Sequence, residues 1–114
     1  MSKNSLSTNQ ELRKGDFLMS SNQQYKAVFQ EDSNFVIYGW SPIWASNTYG
    51  KQDAYRLVMQ SDCNFVMYTK SGEPCWDTGT YSDCKDYRCR VFLRDDGVLE
   101  IDRIGEKKWT SEKK

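Results

Sequence analysis

The chain has 114 residues, with 16 Lys plus Arg, 16 Asp plus Glu and no histidine. That length suits one compact domain, spanning 1–114, and not two. Zero net charge excludes a general nucleic-acid binder, which needs a basic excess to compete for phosphates, and a polybasic membrane anchor. The lack of histidine removes the commonest general base, the commonest metal ligand and every Ser-His or Cys-His triad. Aromatic residues are 14% of a chain whose mean hydropathy is −0.82, so a few large rings must fill the core or stay exposed for binding.

The N-terminus, Met1 to Gly15, has no apolar run of signal-peptide length, and no stretch approaches a membrane span. A soluble protein without membrane insertion is expected. Short β-branched or aromatic segments follow: Lys26 to Phe29, Phe35 to Tyr38, Arg56 to Met59, Phe65 to Tyr68, Cys89 to Leu93 and Val98 to Ile101. Turn clusters separate them at Glu31-Asp32-Ser33-Asn34, Ser61-Asp62-Cys63-Asn64 and Asp95-Asp96-Gly97. Short strands between regular turns predict an all-β domain. The cysteines are Cys63, Cys75, Cys84 and Cys89. Their spacing lacks the paired knuckles of a zinc ribbon, which favours disulfides over free thiols or metal and leaves three pairings open.

The chain repeats itself. Gln30 to Tyr38 returns as Gln60 to Tyr68, with six of nine positions identical at a spacing of 30. A decayed third copy runs from Arg94 to Asp102. A tryptophan follows each copy, Trp44, Trp76 and Trp109, spaced 32 and 33 apart. Three such units cannot each bury an apolar face alone, but around a pseudo-threefold axis they share one core, with the three tryptophans meeting near it. Trp40 falls outside this pattern and is expected to be exposed.

With a period of two, Gln30, Asp32, Asn34, Val36 and Tyr38 share one face, as do Gln60, Asp62, Asn64, Val66 and Tyr68, while Phe35, Ile37, Phe65 and Met67 point into the core. An Asp-x-Asn alone is ordinary turn chemistry. It does not explain the Gln before it or the Tyr after it. The five positions together describe a polar pocket used twice. Carboxylate, amide and phenol groups match the neighbouring hydroxyls of a pyranose, each both donor and acceptor, and valine gives an apolar floor for ring C–H groups. No metal, catalytic residue or cofactor is needed.

At these residues the sequence resembles the bulb-type mannose-binding lectins, the monocot or snowdrop-lectin family, whose signature Gln-x-Asp-x-Asn-x-Val-x-Tyr stands intact at both copies. Pro42 to Gly50 also resembles the family, and Leu6 to Leu18 resembles its first strand. The opening Met1 to Ser7 and Tyr38-Gly39-Trp40 are most similar to the fish skin-mucus lily-type members. The resemblance implies a β-prism II fold, with three four-stranded antiparallel sheets around a pseudo-threefold axis. It implies calcium-independent binding of mannose-containing glycans. Asp32 and Asn34 would meet O2, Gln30 O3 and Tyr38 O4, with Val36 on the ring carbons, and Asp62, Asn64, Gln60, Tyr68 and Val66 would repeat these roles. It pairs Cys63 with Cys89 and leaves Cys75 and Cys84 as extra cysteines, able to pair with each other or to stay free.

The third copy departs from the signature. Arg94, Val98, Glu100 and Asp102 replace Gln, Asn, Val and Tyr, and only Asp96 survives. This site is expected to be dead for mannose. The resemblance further implies a homodimer made by exchange of a C-terminal strand across Lys107 to Ser111, extracellular placement in mucus or a secretion, and surface defence against microbes. A cytoplasmic protein is the other reading of an N-terminus without a recognisable signal. Two other function classes compete: an inhibitor or protein-interaction module with vestigial sugar sites, and a glycosidase. Two intact motifs weigh against the first. Asp32 and Asp62, in separate repeats, are not placed as the carboxylate pair the second needs.

Overall fold

The computed structural model describes residues 3–51, 53–82, 88–103 and 106–112. Twelve strands follow in chain order. They are β1 (Ser5–Ser7), β2 (Glu11–Arg13), β3 (Phe17–Met19), β4 (Lys26–Phe29), β5 (Phe35–Tyr38), β6 (Pro42–Ala45), β7 (Ala54–Met59), β8 (Phe65–Thr69), β9 (Pro74–Asp77), β10 (Cys89–Leu93), β11 (Leu99–Arg103) and β12 (Glu106–Thr110). They form three four-stranded antiparallel sheets, β3-β4-β5-β6, β2-β7-β8-β9 and β1-β10-β11-β12. This is the prism that the resemblance implies. One expectation changes. The opening segment is not a single first strand but three strands of three residues, one in each sheet. Leu6, Leu12 and Leu18, six residues apart, are each buried, so the N-terminal chain winds across all three sheets and sends one leucine inward from each.

Alternation along each central strand builds the core. Phe35 and Ile37 of β5, Phe65 and Met67 of β8, and Leu99 and Ile101 of β11 are fully buried. Opposite Ile37, Met67 and Ile101 in register stand Trp44, Trp76 and Trp109. The tryptophans meet edge to face, with Trp44 6.1 Å from Trp76 and 5.8 Å from Trp109 between ring centroids. Such pairs suit the ring quadrupole. They are half-buried and close the end of the core that the phenylalanines fill. Strand β12 pairs with β11 of its own chain, so Trp109 reaches the axis in cis. Trp40 lies outside this arrangement, fully exposed.

The three hairpins turn in the same way. Gln30, Gln60 and Arg94 each donate N–H to the carbonyl of the residue four ahead and accept from the N–H of the residue three ahead. That third residue is left-handed in each case: Ser33 (φ 77°), Cys63 (φ 73°) and Gly97 (φ 84°). A positive φ here matches the strand twist across a tight hairpin. Only the last is glycine, and space demands it. A Cβ on Gly97 would lie 2.7 Å from Cε1 of Tyr25, which packs across from the neighbouring sheet. Cys63 is disulfide-bonded to Cys89, with Cα atoms 5.4 Å apart, tying the β7–β8 turn to the start of β10. Cys75 is free and half-buried, and burial pushes its thiol pKa up despite nearby Lys51. Cys84, the other extra cysteine, lies outside the described residues.

Candidate functional site

Hairpin chemistry accounts for half of each Asp-x-Asn. Asp32 Oδ1 accepts the N–H of Asn34 at 3.0 Å, and Asp62 Oδ1 accepts that of Asn64 at 3.0 Å. These are the short local caps that Asp makes in turns. Asn34 Oδ1 is also engaged, accepting from Ser46 Oγ at 3.2 Å and from the N–H of Thr48 at 3.1 Å. Asn64 Oδ1 does the same with Thr78 Oγ1 and the N–H of Thr80, both at 3.2 Å. Structural bonds therefore hold one face of each side chain. The opposite atoms, Asp32 Oδ2 and Asn34 Nδ2, an acceptor and a donor, have no hydrogen-bond partner among the described residues.

The far end of each pocket is closed by the other two motif residues. Gln30 Nε2 donates to the Tyr38 hydroxyl, and Gln60 Nε2 to that of Tyr68. A register shift falls just before each tyrosine, between Ile37 and Tyr38 and between Met67 and Tyr68. A bulge there re-aims the ring without disturbing the core residue before it. Val36 and Val66 lie between the two ends and are almost wholly covered, at 4% and 3% exposure. Behind Tyr68, the Arg56 guanidinium stands 5.2 Å from the ring centroid and also pairs with Glu11. Against the burial that would raise it, hydrogen bonds from Arg13 and Arg56 hold the Glu11 carboxyl below its usual value. The five side chains of each copy thus come together, and the second set lines an open cleft of about 400 Å³ with Asp77 and Tyr81.

Two features of the pockets were missed by motif reading. Position 45 is Ala beside Val36, whereas the matching position beside Val66 is Asp77. Asn64 Nδ2 donates to Asp77 Oδ2 at 3.3 Å, so the second pocket holds its amide donor internally. The second feature is the pair of tyrosines, Tyr49 and Tyr81, on the loops that carry Thr48 and Thr80. Setting Trp-Ala-Ser-Asn-Thr-Tyr against Trp-Asp-Thr-Gly-Thr-Tyr, beyond the tryptophan where the repeat was traced, exposes both.

The third copy fills itself. Arg94, at the Gln position, donates to Asp96 Oδ2 at 2.5 Å and to Glu100 Oε1 at 3.1 Å, tying together the positions that Asp and Val hold in the other two. Asp96 still caps the turn, accepting the N–H of Val98 at 3.3 Å, and Asp102 Oδ1 is buried with no partner among the described residues. Burial, then the neighbouring Asp102 carboxyl, raise the Glu100 pKa, while Arg94 pulls against them. Among the described residues, no group of three or more carboxylate or thiol side chains is placed to hold a metal ion.

No protein-family model matches the chain. It is 55% identical over 111 residues to the B-type lectin plumieribetin of Scorpaena plumieri, covering 96% of each chain. Among solved structures it is similar to a monomeric monocot mannose-binding lectin from Gastrodia elata, at 29% identity over 96% of both chains with a TM-score of 0.84. It is also similar to the mannose-specific agglutinin of snowdrop (Galanthus nivalis) bulbs, solved with methyl-α-D-mannoside, at 31% identity over 94% of both chains with a TM-score of 0.76.

Proposed function

Because the chain belongs to the bulb-type (B-type) lectin family, with that family's β-prism II fold, we propose that it binds mannose-containing glycans without calcium through two pockets. These are Gln30, Asp32, Asn34, Val36 and Tyr38, and Gln60, Asp62, Asn64, Val66 and Tyr68. Lectins bind carbohydrate without transforming it. The observation that carries the reading is the matched geometry of the two motif copies. In each, Asp Oδ1 and Asn Oδ1 are spent on the turn and the loop beside it; the first copy keeps Asp32 Oδ2 and Asn34 Nδ2 for a ligand, while in the second Asn64 Nδ2 rests on Asp77. A hexose hydroxyl needs a donor and an acceptor side by side, and Asp32 Oδ2 with Asn34 Nδ2 supplies them. The mannose-specific snowdrop relative, solved with a mannoside, supports the choice of sugar.

The assembly proposed is a homodimer exchanging β12. The location proposed is extracellular, in mucus or another secretion, where a Cys63–Cys89 disulfide persists. Among the described residues no helix is long and apolar enough to cross a membrane. A role in surface defence, by cross-linking mannose-rich microbial coats, follows from several sites acting together. The test is retention on immobilised mannose. The protein should stay bound in EDTA and elute with free methyl α-mannoside. Asn34→Ala plus Asn64→Ala should abolish retention while circular dichroism stays unchanged. A folded wild-type protein that ignores every mannose glycan would leave the protein-interaction reading in its place.

A further inference from the structure

The loop after β6 is pinned to the first pocket. Thr48 donates its N–H to Asn34 Oδ1 at 3.1 Å and its hydroxyl to the Ser33 carbonyl at 2.6 Å, and the N–H of Gly50 donates to the Asp32 carbonyl at 2.8 Å. The loop after β9 is pinned by the same set. Thr80 donates its N–H to Asn64 Oδ1 at 3.2 Å and its hydroxyl to the Cys63 carbonyl at 2.7 Å, and the N–H of Ser82 donates to the Asp62 carbonyl at 2.8 Å. Between the two anchors stands Tyr49 in one loop and Tyr81 in the other. Their exposures are 73% and 62%. Each loop thus carries a large, mostly exposed ring between two anchors, next to the residues that hold the Asp and Asn of its motif copy. Tyr81 lines the same cleft as Asp62, Asn64 and Val66.

We propose that Tyr49 and Tyr81 are aromatic subsites for the sugar residue next to the mannose, so that each pocket recognises an oligosaccharide rather than a monosaccharide. The proposal rests on the mannose reading above and adds the ligand's second unit. A tyrosine ring presents a flat apolar face to pyranose C–H groups and a hydroxyl to their oxygens. Only two side-chain torsions need to be fixed, and the backbone beneath is already held, so ordering it costs little. The two loops differ in sequence elsewhere, as Ser46-Asn47 against Thr78-Gly79, yet keep the threonine anchor and the tyrosine.

The test is calorimetric titration of methyl α-mannoside, mannobioses and a branched mannotriose into wild type, Tyr49→Ala plus Tyr81→Ala, and Tyr49→Phe plus Tyr81→Phe. Wild type should prefer the best oligosaccharide by about tenfold, or ~1.4 kcal/mol, over methyl α-mannoside. The alanine pair should lose that preference while its affinity for methyl α-mannoside stays within about twofold, and the phenylalanine pair should keep most of it. Either a preference that survives in the alanine pair, or an equal loss for all ligands, overturns the subsite. Wild type that binds methyl α-mannoside without preferring an oligosaccharide also overturns the subsite but leaves the mannose reading standing. Wild type that binds no mannoside overturns both.

Discussion

Ala45 and Asp77 hold the same register position in the two motif copies, and that difference makes the copies chemically unequal. In the first, Asn34 Nδ2 is available to a ligand. In the second, Asn64 Nδ2 already donates to Asp77 Oδ2 at 3.3 Å, so a sugar must displace that bond before using the amide. A hydrogen bond of this kind contributes about 1 kcal/mol net, equivalent to roughly fivefold in affinity. With the first pocket disabled by Asn34→Ala, adding Asp77→Ala should therefore tighten methyl α-mannoside binding by about fivefold. Calorimetry on the single-pocket protein measures it, and unchanged affinity would show that Asp77 does not compete for the amide. The motif positions were legible from sequence because the repeat compares them directly. Asp77 was not, because its meaning depends on which residue it faces across β8 and β9. Nor does spacing show that Gln and Tyr bond to each other, since they are eight residues apart and meet only when the hairpin folds.

One hairpin is built three times, and its third copy is filled by an internal ion pair. Arg94 bridges Asp96 and Glu100 where the other copies leave a space, and Glu100 takes the floor position of Val36 and Val66. Its carboxyl pKa is raised by burial and by Asp102. The folded protein thus holds the Glu100 proton to higher pH than the unfolded chain does, so this group favours folding in mild acid and that advantage falls as pH rises through the raised pKa. Asp96 runs the other way. Against its burial, hydrogen bonding to Arg94 lowers its pKa, giving stability that is present above the unfolded value and lost as pH falls through the folded one. Glu100→Gln removes only the first contribution. The melting temperature of wild type minus that of Glu100→Gln should then decrease as pH rises above the ordinary glutamate range. A difference that does not change with pH would show that Glu100 keeps one protonation state across the range. The cross-link between sheets acts at this scale too. With Cys63 and Cys89 separated by 26 residues, Cys63→Ser plus Cys89→Ser should cost roughly 3 to 4 kcal/mol in urea denaturation. A loss below about 1 kcal/mol would mean that the other contacts between these sheets already confine the unfolded chain. Central strands were legible at this level because each alternates over four or more residues between turn clusters. β1, β2 and β3 were not, because three residues are too few to show a period, and only the six-residue spacing of Leu6, Leu12 and Leu18 marks them.

At the scale of the whole molecule, the three sheets face the two pockets away from a shared core, and that geometry bears on assembly. A shallow pocket making a few solvent-competing hydrogen bonds binds weakly, on the order of millimolar, or about 4 kcal/mol. Two such pockets joined in one rigid body, and doubled in a dimer, gain a factor of roughly 10² to 10⁴ on a surface that presents the sugar at a matching spacing. In the proposed homodimer, β12 is the strand that would be exchanged. It is the outermost strand of its sheet, bonded on one side to β11, and it carries Trp109 to the axis. The proposed exchange between two chains would keep the pairing seen within one, Ile101 opposite Trp109 and Glu100 opposite Thr110, with the strand supplied in trans. The core is the same in either state, and what differs is the number of pockets per particle. Light scattering on the full chain should give a mass near twice 13.4 kDa. Trp109→Ala should lower that mass and melt the protein at lower temperature together, because one side chain serves both the core and the exchange. A wild-type protein of 13.4 kDa that still agglutinates mannan-coated particles would place all of the avidity in the two pockets of a single prism and remove exchange from the mechanism.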